Sequence, residues 1–251
     1  MSEEKHISVR RFIDQMDRCF DRNDMKAARD CLRAWESEAR SLGDERGLLA
    51  VLNEAVGFYR RTQKKEKALA AMEECLRLVD ALALDGSASG ATVLTNAATT
   101  LAFFGRPEEG LPLYGRAAAC FEAEGRTDTY EYAALMNNRA GALYALRRYD
   151  EAEACWKEAV RILKAEGRHD GEIAISLVML AHLTFDRDDT AYEQVEALLD
   201  EAWEHINAPG QPRDGNYAYV LRKCAPSFDY FRRPEAAQAL REVAKEIYAG
   251  T

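Results

Sequence analysis

The residues that could do chemistry are scattered. The four histidines, His6, His169, His182 and His205, have no ligand spacing among them, so no dedicated zinc site is expected. The cysteines, Cys19, Cys31, Cys75, Cys120, Cys155 and Cys224, contain no C-x-x-C pair and read as small buried hydrophobes in a reducing compartment. Cys155 beside Trp156 has no basic neighbour in sequence to activate it, which makes it a core thiol rather than a nucleophile. Asp150, Glu151, Glu153 and Glu158 are spaced as the solvated face of a helix with i,i+4 partners. There is no Gly-rich phosphate loop, no G-x-S-x-G and no H-E-x-x-H. No catalytic residue, metal or cofactor is therefore assigned, and the chain is read as a non-enzyme. What remains is hydrogen-bonding chemistry. Asn53, Asn96, Asn137 and Asn138 each carry a donor and an acceptor, and a file of such groups can pair with a peptide backbone whatever its side chains.

Composition narrows the setting. The chain is 47% hydrophobic and 31% charged, too apolar for disorder, with a net charge of −9 that disfavours nucleic acid. No apolar run reaches the roughly 20 residues needed to cross a bilayer. The stretch from Met1 to Asp14 is too charged for a signal peptide, so a cytoplasmic location is expected.

Positioning the candidate residues is the work of a repeat. The segments KKEKALAAM, GRPEEGLPLY, RRYDEAEACW and RRPEAAQAL place a small residue shortly after a basic, turn-like start. With two weaker copies they define the anchors Ala28, Ala68, Gly110, Ala152, Val195 and Ala237, at spacings of 40, 42, 42, 43 and 42. Before the anchors run the columns Phe12, Leu52, Leu94, Met136, Leu177, Leu221 and Met16, Val56, Ala98, Ala140, Ala181, Ala225, the fifth copy taking two extra loop residues. A third column reads Cys19, Tyr59, Leu101, Leu143, Thr184 and Phe228. Together they make an i, i+4, i+7 helical face. After the anchors, Leu32, Met72, Tyr114, Trp156, Leu199, Arg241 and Trp35, Cys75, Ala117, Ala159, Ala202, Ala244 make a second. A single pair cannot bury its stripe, so pairs must stack.

First helices are expected near 6–22, 47–62, 89–104, 130–146, 171–185 and 215–231. Second helices are expected near 24–42, 65–83, 107–124, 149–165, 190–206 and 234–248. Pro107 and Pro234 fall at helix starts, where a missing N–H costs nothing. Pro226 should kink its helix unless that helix begins later. Composition does not shift along the chain, so residues 1–251 read as one solenoid domain, with repeats at about 6–43, 47–84, 89–125, 130–167, 171–207 and 215–249. Nothing follows the last helix. Its apolar side either packs on the fifth pair or docks a second chain as a homodimer.

The segment MNNRAGALYALRRYDEAEACWKEAVRILKAEGRHDGEIA, residues 136–174, resembles the tetratricopeptide repeat in the roughly 42-residue variant of kinesin light chains. The Asn-Asn pair, the Leu-Tyr, the Tyr-Asp-Glu-Ala and the closing Gly-x-His carry the resemblance. Arg139, Arg241 and Pro226 depart from it, and the last two put the packing of the sixth pair in question.

The resemblance implies an all-α, right-handed superhelix of about six helix pairs whose first helices line a concave face. It implies ligand contacts from first-helix residues off the packing stripe: Asn53, Thr95, Asn96, Thr99, Asn137, Asn138, Tyr144, His182 and Arg222. In such repeats the asparagines clamp peptide backbone. The competing reading is that they bridge neighbouring helices. The implied function is a scaffold or adaptor that holds a protein or peptide. The alternatives are a sensor of a small signalling peptide and an enzyme subunit. Residues 1–22 leave no room for a helix-turn-helix, so such a sensor would act on a separate effector.

Overall fold

The computed structural model describes residues 6–250; the ends of the expected domain, residues 1–5 and 251, and the start of the signal-peptide reading lie outside the described residues. Among the described residues there are twelve helices and no strand. The first helices are α1 (Val9–Asp21), α3 (Glu45–Arg61), α5 (Ala88–Phe103), α7 (Tyr130–Ala145), α9 (Asp170–Arg187) and α11 (Gly215–Tyr230). The second helices are α2 (Met25–Leu42), α4 (Lys65–Ala81), α6 (Pro107–Ala123), α8 (Tyr149–Glu166), α10 (Tyr192–Ile206) and α12 (Pro234–Gly250). They fall into two compact units: residues 6–20 with 24–127, carrying α1 to α6, and residues 21–23 with 128–250, carrying α7 to α12.

The repeat columns are the core. Ala28, Ala68, Gly110, Ala152, Val195 and Ala237 are all buried. The reason for smallness is visible at Gly110, where a Cβ would lie 2.8 Å from the Ala98 carbonyl oxygen of α5. In the first unit, Phe12 of α1 meets Trp35 of α2 at 6.1 Å between ring centroids, and the Trp35 indole N–H donates to Gln15 Oε1 at 2.8 Å. In the second, Trp156 of α8 lies 5.7 Å from Tyr144 of α7 and Trp203 of α10 lies 5.6 Å from Phe228 of α11. Cys75, Cys120, Cys155 and Cys224 are buried as expected, and burial pushes the thiols of Cys75 and Cys224 up to about 12. Cys19 and Cys31 depart from the expectation: both are only half-buried, because α1 and α2 carry them at the edge of the first pair.

The turns repeat as faithfully as the core. Between pairs, positions 43, 83, 125, 167 and 210 take positive φ, filled by glycine everywhere except Ala83. Within pairs, Asn23, Gln63, Gly105, Arg147 and Arg232 do the same in three-residue turns. The fifth pair is the exception. Its longer connection ends α9 on Asp188 in extended conformation, with α10 starting at Tyr192.

First helices mostly start on a side-chain cap. Asp44, Ser87, Thr129 and Asp214 accept from the N–H groups of Gly47, Gly90, Tyr132 and Tyr217. Pro107 and Pro234 begin α6 and α12 as anticipated.

Two departures of the sixth pair resolve simply. α11 continues from Gly215 past Pro226 to Tyr230, and Pro226 is exposed rather than in the core. Arg241 does not fill the aromatic position of its column; it is exposed and pairs with Asp229. The exposed side of α12 carries Gln238, Arg241, Glu242, Lys245 and Glu246, a polar surface.

Candidate binding surface

In the first unit the candidate residues lie on α3 and α5. Along α5, Thr92, Asn96, Thr99 and Phe103 recur at i, i+4, i+7 and i+11 and all keep solvent access, Phe103 at 53%. Asn96 Nδ2 donates to Asn53 Oδ1 of α3 at 3.0 Å. Arg60 of α3 donates to the Thr100 hydroxyl at 3.0 Å. The two asparagines therefore do bridge helices. Each still has hydrogen-bonding capacity left, an acceptor on Asn96 and donors on Asn53. Thr95 is buried and its hydroxyl donates to the Ala91 carbonyl, so it serves its own helix. Thr99 donates to the Thr95 carbonyl at 2.7 Å, which leaves the buried Tyr114 hydroxyl to donate to Thr99 at 3.0 Å.

Glu54 stands beside Asn53. Burial, then the charge of Asp17, pushes its carboxyl above the ordinary value, against Arg61 and Arg60.

In the second unit they lie on α7, α9 and α11. Asn137 accepts from the buried Ser176 hydroxyl of α9 at 2.7 Å, again a bridge. Asn138 is exposed, and its amide donates only along its own helix, to the Ala134 carbonyl at 2.9 Å. The Tyr144 hydroxyl donates to Asp186 of α9 at 2.5 Å. Burial and that acidic neighbour raise the phenol well above its usual range.

His182 Nε2 lies 3.0 Å from the Ser227 hydroxyl of α11, and its ring packs on Tyr230 and Phe231 at 5.0 and 4.7 Å. Burial holds the imidazole below its ordinary value, against the pull of Asp186. Arg222 is exposed on α11 and lies over the Tyr248 ring at 5.9 Å. Tyr219, Arg222, Pro226 and Tyr230 form one outward stripe of α11. Proline at 226 offers no N–H to the Arg222 carbonyl, leaving that acceptor without its usual helical partner.

Several arginines are absorbed by local acids. Arg106 and Arg148, immediately before α6 and α8, pair with Glu109 and Glu151 in their first turns. Second helices are joined by Arg40 to Glu74 and Arg116 to Asp80 in the first unit, and by Lys164 to Glu201 in the second. Each such surface pair contributes little to stability, at most about 1 kcal/mol.

One recurring contact had a sequence signal that the column reading passes over. The tetrapeptide AEGR occurs at 123–126 and again at 165–168. In each, the glutamate reaches back to the start of its partner helix: Glu124 accepts from the Ala88 N–H at 3.1 Å and Glu166 from the Tyr130 N–H at 2.9 Å. A carboxylate at a helix N-terminus is favoured by the helix dipole.

Among the described residues, no group of three or more His, Cys, Asp or Glu could hold a metal ion, and no helix is long and apolar enough to cross a membrane.

Comparison with known proteins agrees with this geometry. The model of the tetratricopeptide repeat matches residues 133–166, which span α7, its turn and α8. No curated protein matches the sequence. Among solved structures, BtubC (BKLC) from P. vanneervenii is similar over 98% of this chain and 92% of its own, at 15% identity and a TM-score of 0.59. A protein of Podosopora anserina assigned as a kinesin light chain, with nearly identical TPR-like repeats, is similar over 80% of this chain and 95% of its own, at 16% identity and a TM-score of 0.57. A Rap protein complexed with competence and sporulation factor is similar over 99% of this chain and 78% of its own, at 16% identity and a TM-score of 0.60. At these identities the likeness is one of fold, an all-α superhelix of helix pairs. Residues 133–166 thus match a tetratricopeptide repeat, and the chain as a whole shares the helix-pair fold of kinesin-light-chain-type repeat proteins.

Proposed function

We propose that this chain is a scaffold whose first-helix faces hold a segment of another protein in extended conformation. The observation that carries the reading is the polarity of those faces. Asn53 with Asn96 in the first unit, and Asn138 with Arg222 in the second, present hydrogen-bonding groups outward from helices whose other sides are sealed by the repeat columns. Asparagines already fixed by a bridge lose little freedom when they bind, which favours their use on a backbone. Exposed rings beside them, Phe103 in one unit and Tyr219 in the other, supply apolar contact. A structural neighbour of similar fold, a Rap protein, was solved complexed with competence and sporulation factor, in keeping with this reading.

Binding a small signalling peptide is the narrower form of the same proposal. Pairing of two copies through α12 is less favoured, because its exposed side is polar.

Two double variants test it, one per unit: Asn53→Ala/Asn96→Ala and Asn138→Ala/Arg222→Ala. Capture from lysate of the source cell should yield a partner whose recovery falls about tenfold or more with at least one of them, the scale expected from losing a few hydrogen bonds. Equal retention of every captured partner by both variants would contradict the proposal.

A further inference from the structure

The hairpin tips of the fifth and sixth pairs form an open-sided cavity of about 610 Å³, lined by Phe185, Tyr192, Tyr230, Phe231 and Arg232, with Glu196 and Arg233 at its side. It sits where the fifth pair breaks the three-residue turn rule, the longer connection bringing in Tyr192 at the start of α10. The walls are set by aromatic contacts. Phe185 meets Tyr230 and Phe231 edge-on at 6.0 and 5.8 Å, and Tyr230 meets Phe231 at 5.0 Å. Two large side chains that remain exposed in the second unit, Tyr192 at 64% and Tyr230 at 56%, belong to it. A second hollow of about 410 Å³, against Trp203 and Phe228, meets the first at the Arg232–Arg233 turn. These volumes fall in or near the range of roughly 300–1,000 Å³ typical of small-molecule sites, and apolar walls with a few polar groups are their usual chemistry.

Charge selects among ligands. Glu196 and Asp200 both pair with Arg233, so these three groups satisfy one another. Arg232 is exposed and has no acidic partner among the described residues. In a chain of net charge −9, the cavity thus keeps an uncommitted guanidinium beside its rings.

We propose that this cavity binds a flat aromatic anion, a carboxylate or sulfonate, with its ring among Phe185, Tyr192 and Phe231 and its charge on Arg232. Aromatic side chains accept such a ring offset or edge-on, and a guanidinium matches the geometry of the anionic group. The site shares Tyr230 with the outward stripe of α11, but its ligand chemistry does not rest on the scaffold reading.

The test titrates the full chain with 1-anilinonaphthalene-8-sulfonate, followed by fluorescence, against the uncharged N-phenyl-1-naphthylamine. Saturable binding of the sulfonate is expected. Arg232→Gln should raise its Kd about tenfold or more, the scale of a charge-assisted hydrogen bond, and leave the neutral dye unaffected. Glutamine suits that backbone, since Gln63 takes the same conformation in the second pair. Tyr192→Ala should weaken both dyes, whereas Phe103→Ala, which removes an exposed ring in the first unit, should change neither. Absence of saturable binding, a sulfonate affinity untouched by Arg232→Gln, or equal losses from Phe103→Ala and Tyr192→Ala would overturn the assignment.

Discussion

Ala152→Arg should destabilise the chain by about 3 kcal/mol or more, the cost of an unpaired charge forced into a packed interior. Ala152 has no exposed surface and sits one turn into α8, in the column occupied by Gly110 two helices earlier. At Gly110 even a methyl group would press on a backbone carbonyl 2.8 Å away. A guanidinium at 152 must either stay buried without a partner or pry α7 from α8, and both outcomes cost the fourth pair its core around Leu143 and Trp156. Thermal or urea unfolding followed by circular dichroism reads the effect. An unchanged midpoint would mean that residue 152 does not face the helix it is assigned to face.

Asp44→Ala should cost about 2–3 kcal/mol, more than an ordinary helix cap. The side chain is 3% exposed and serves two segments at once. One oxygen accepts from the Gly47 N–H at 2.9 Å and starts α3; the other accepts from the Ile7 N–H at 2.9 Å and ties down the segment before α1. His6 Nδ1 lies 3.2 Å from the carboxylate. Alanine would leave both N–H groups without this acceptor.

Burial alone would raise the Asp44 pKa, but the bonds from Gly47, Ile7 and His6 outweigh it and hold the carboxyl below its ordinary value. The sign of the pH effect follows. A depressed folded pKa stabilises the protein above the unfolded value, about 3.9 for aspartate, and that contribution disappears as pH falls through the folded value. The gap in unfolding free energy between wild type and Asp44→Ala should therefore be full at neutral pH and shrink in strong acid. A gap that stays constant down to pH 2 would show that the charge of Asp44 does not matter.

The fold was legible because its determinants are local and periodic. The column from Trp35 through Cys75, Ala117, Ala159 and Ala202 to Ala244 is buried at every position, as a helix nested against its neighbours requires. Arg241 broke its column without breaking the fold, because the position is exposed and the cation meets Asp229 of α11. Pro226 could be placed in a helix but not oriented by its type alone; its effect depends on which side faces water, and here Pro226 is exposed.

The binding surface was legible only in part. Sequence puts Asn53 and Asn96 on first helices, but their mutual bond depends on how closely α3 approaches α5. Asn137 is committed to Ser176, and Thr95 to its own helix, for the same kind of reason. The cavity at Arg232 was not legible at all. It arises from hairpin tips of unequal length meeting in space, and no periodicity encodes that.

The central claim is that a partner lies along the first helices and not the second. It is tested most directly by placing a photo-crosslinking residue, p-benzoylphenylalanine, at position 138 of α7 and, separately, at position 157 of α8, both exposed and on helices of the same pair. Irradiation in lysate should give a specific adduct from position 138 and none from position 157. An adduct from position 157 with none from position 138 would place the partner on the opposite face and contradict the account.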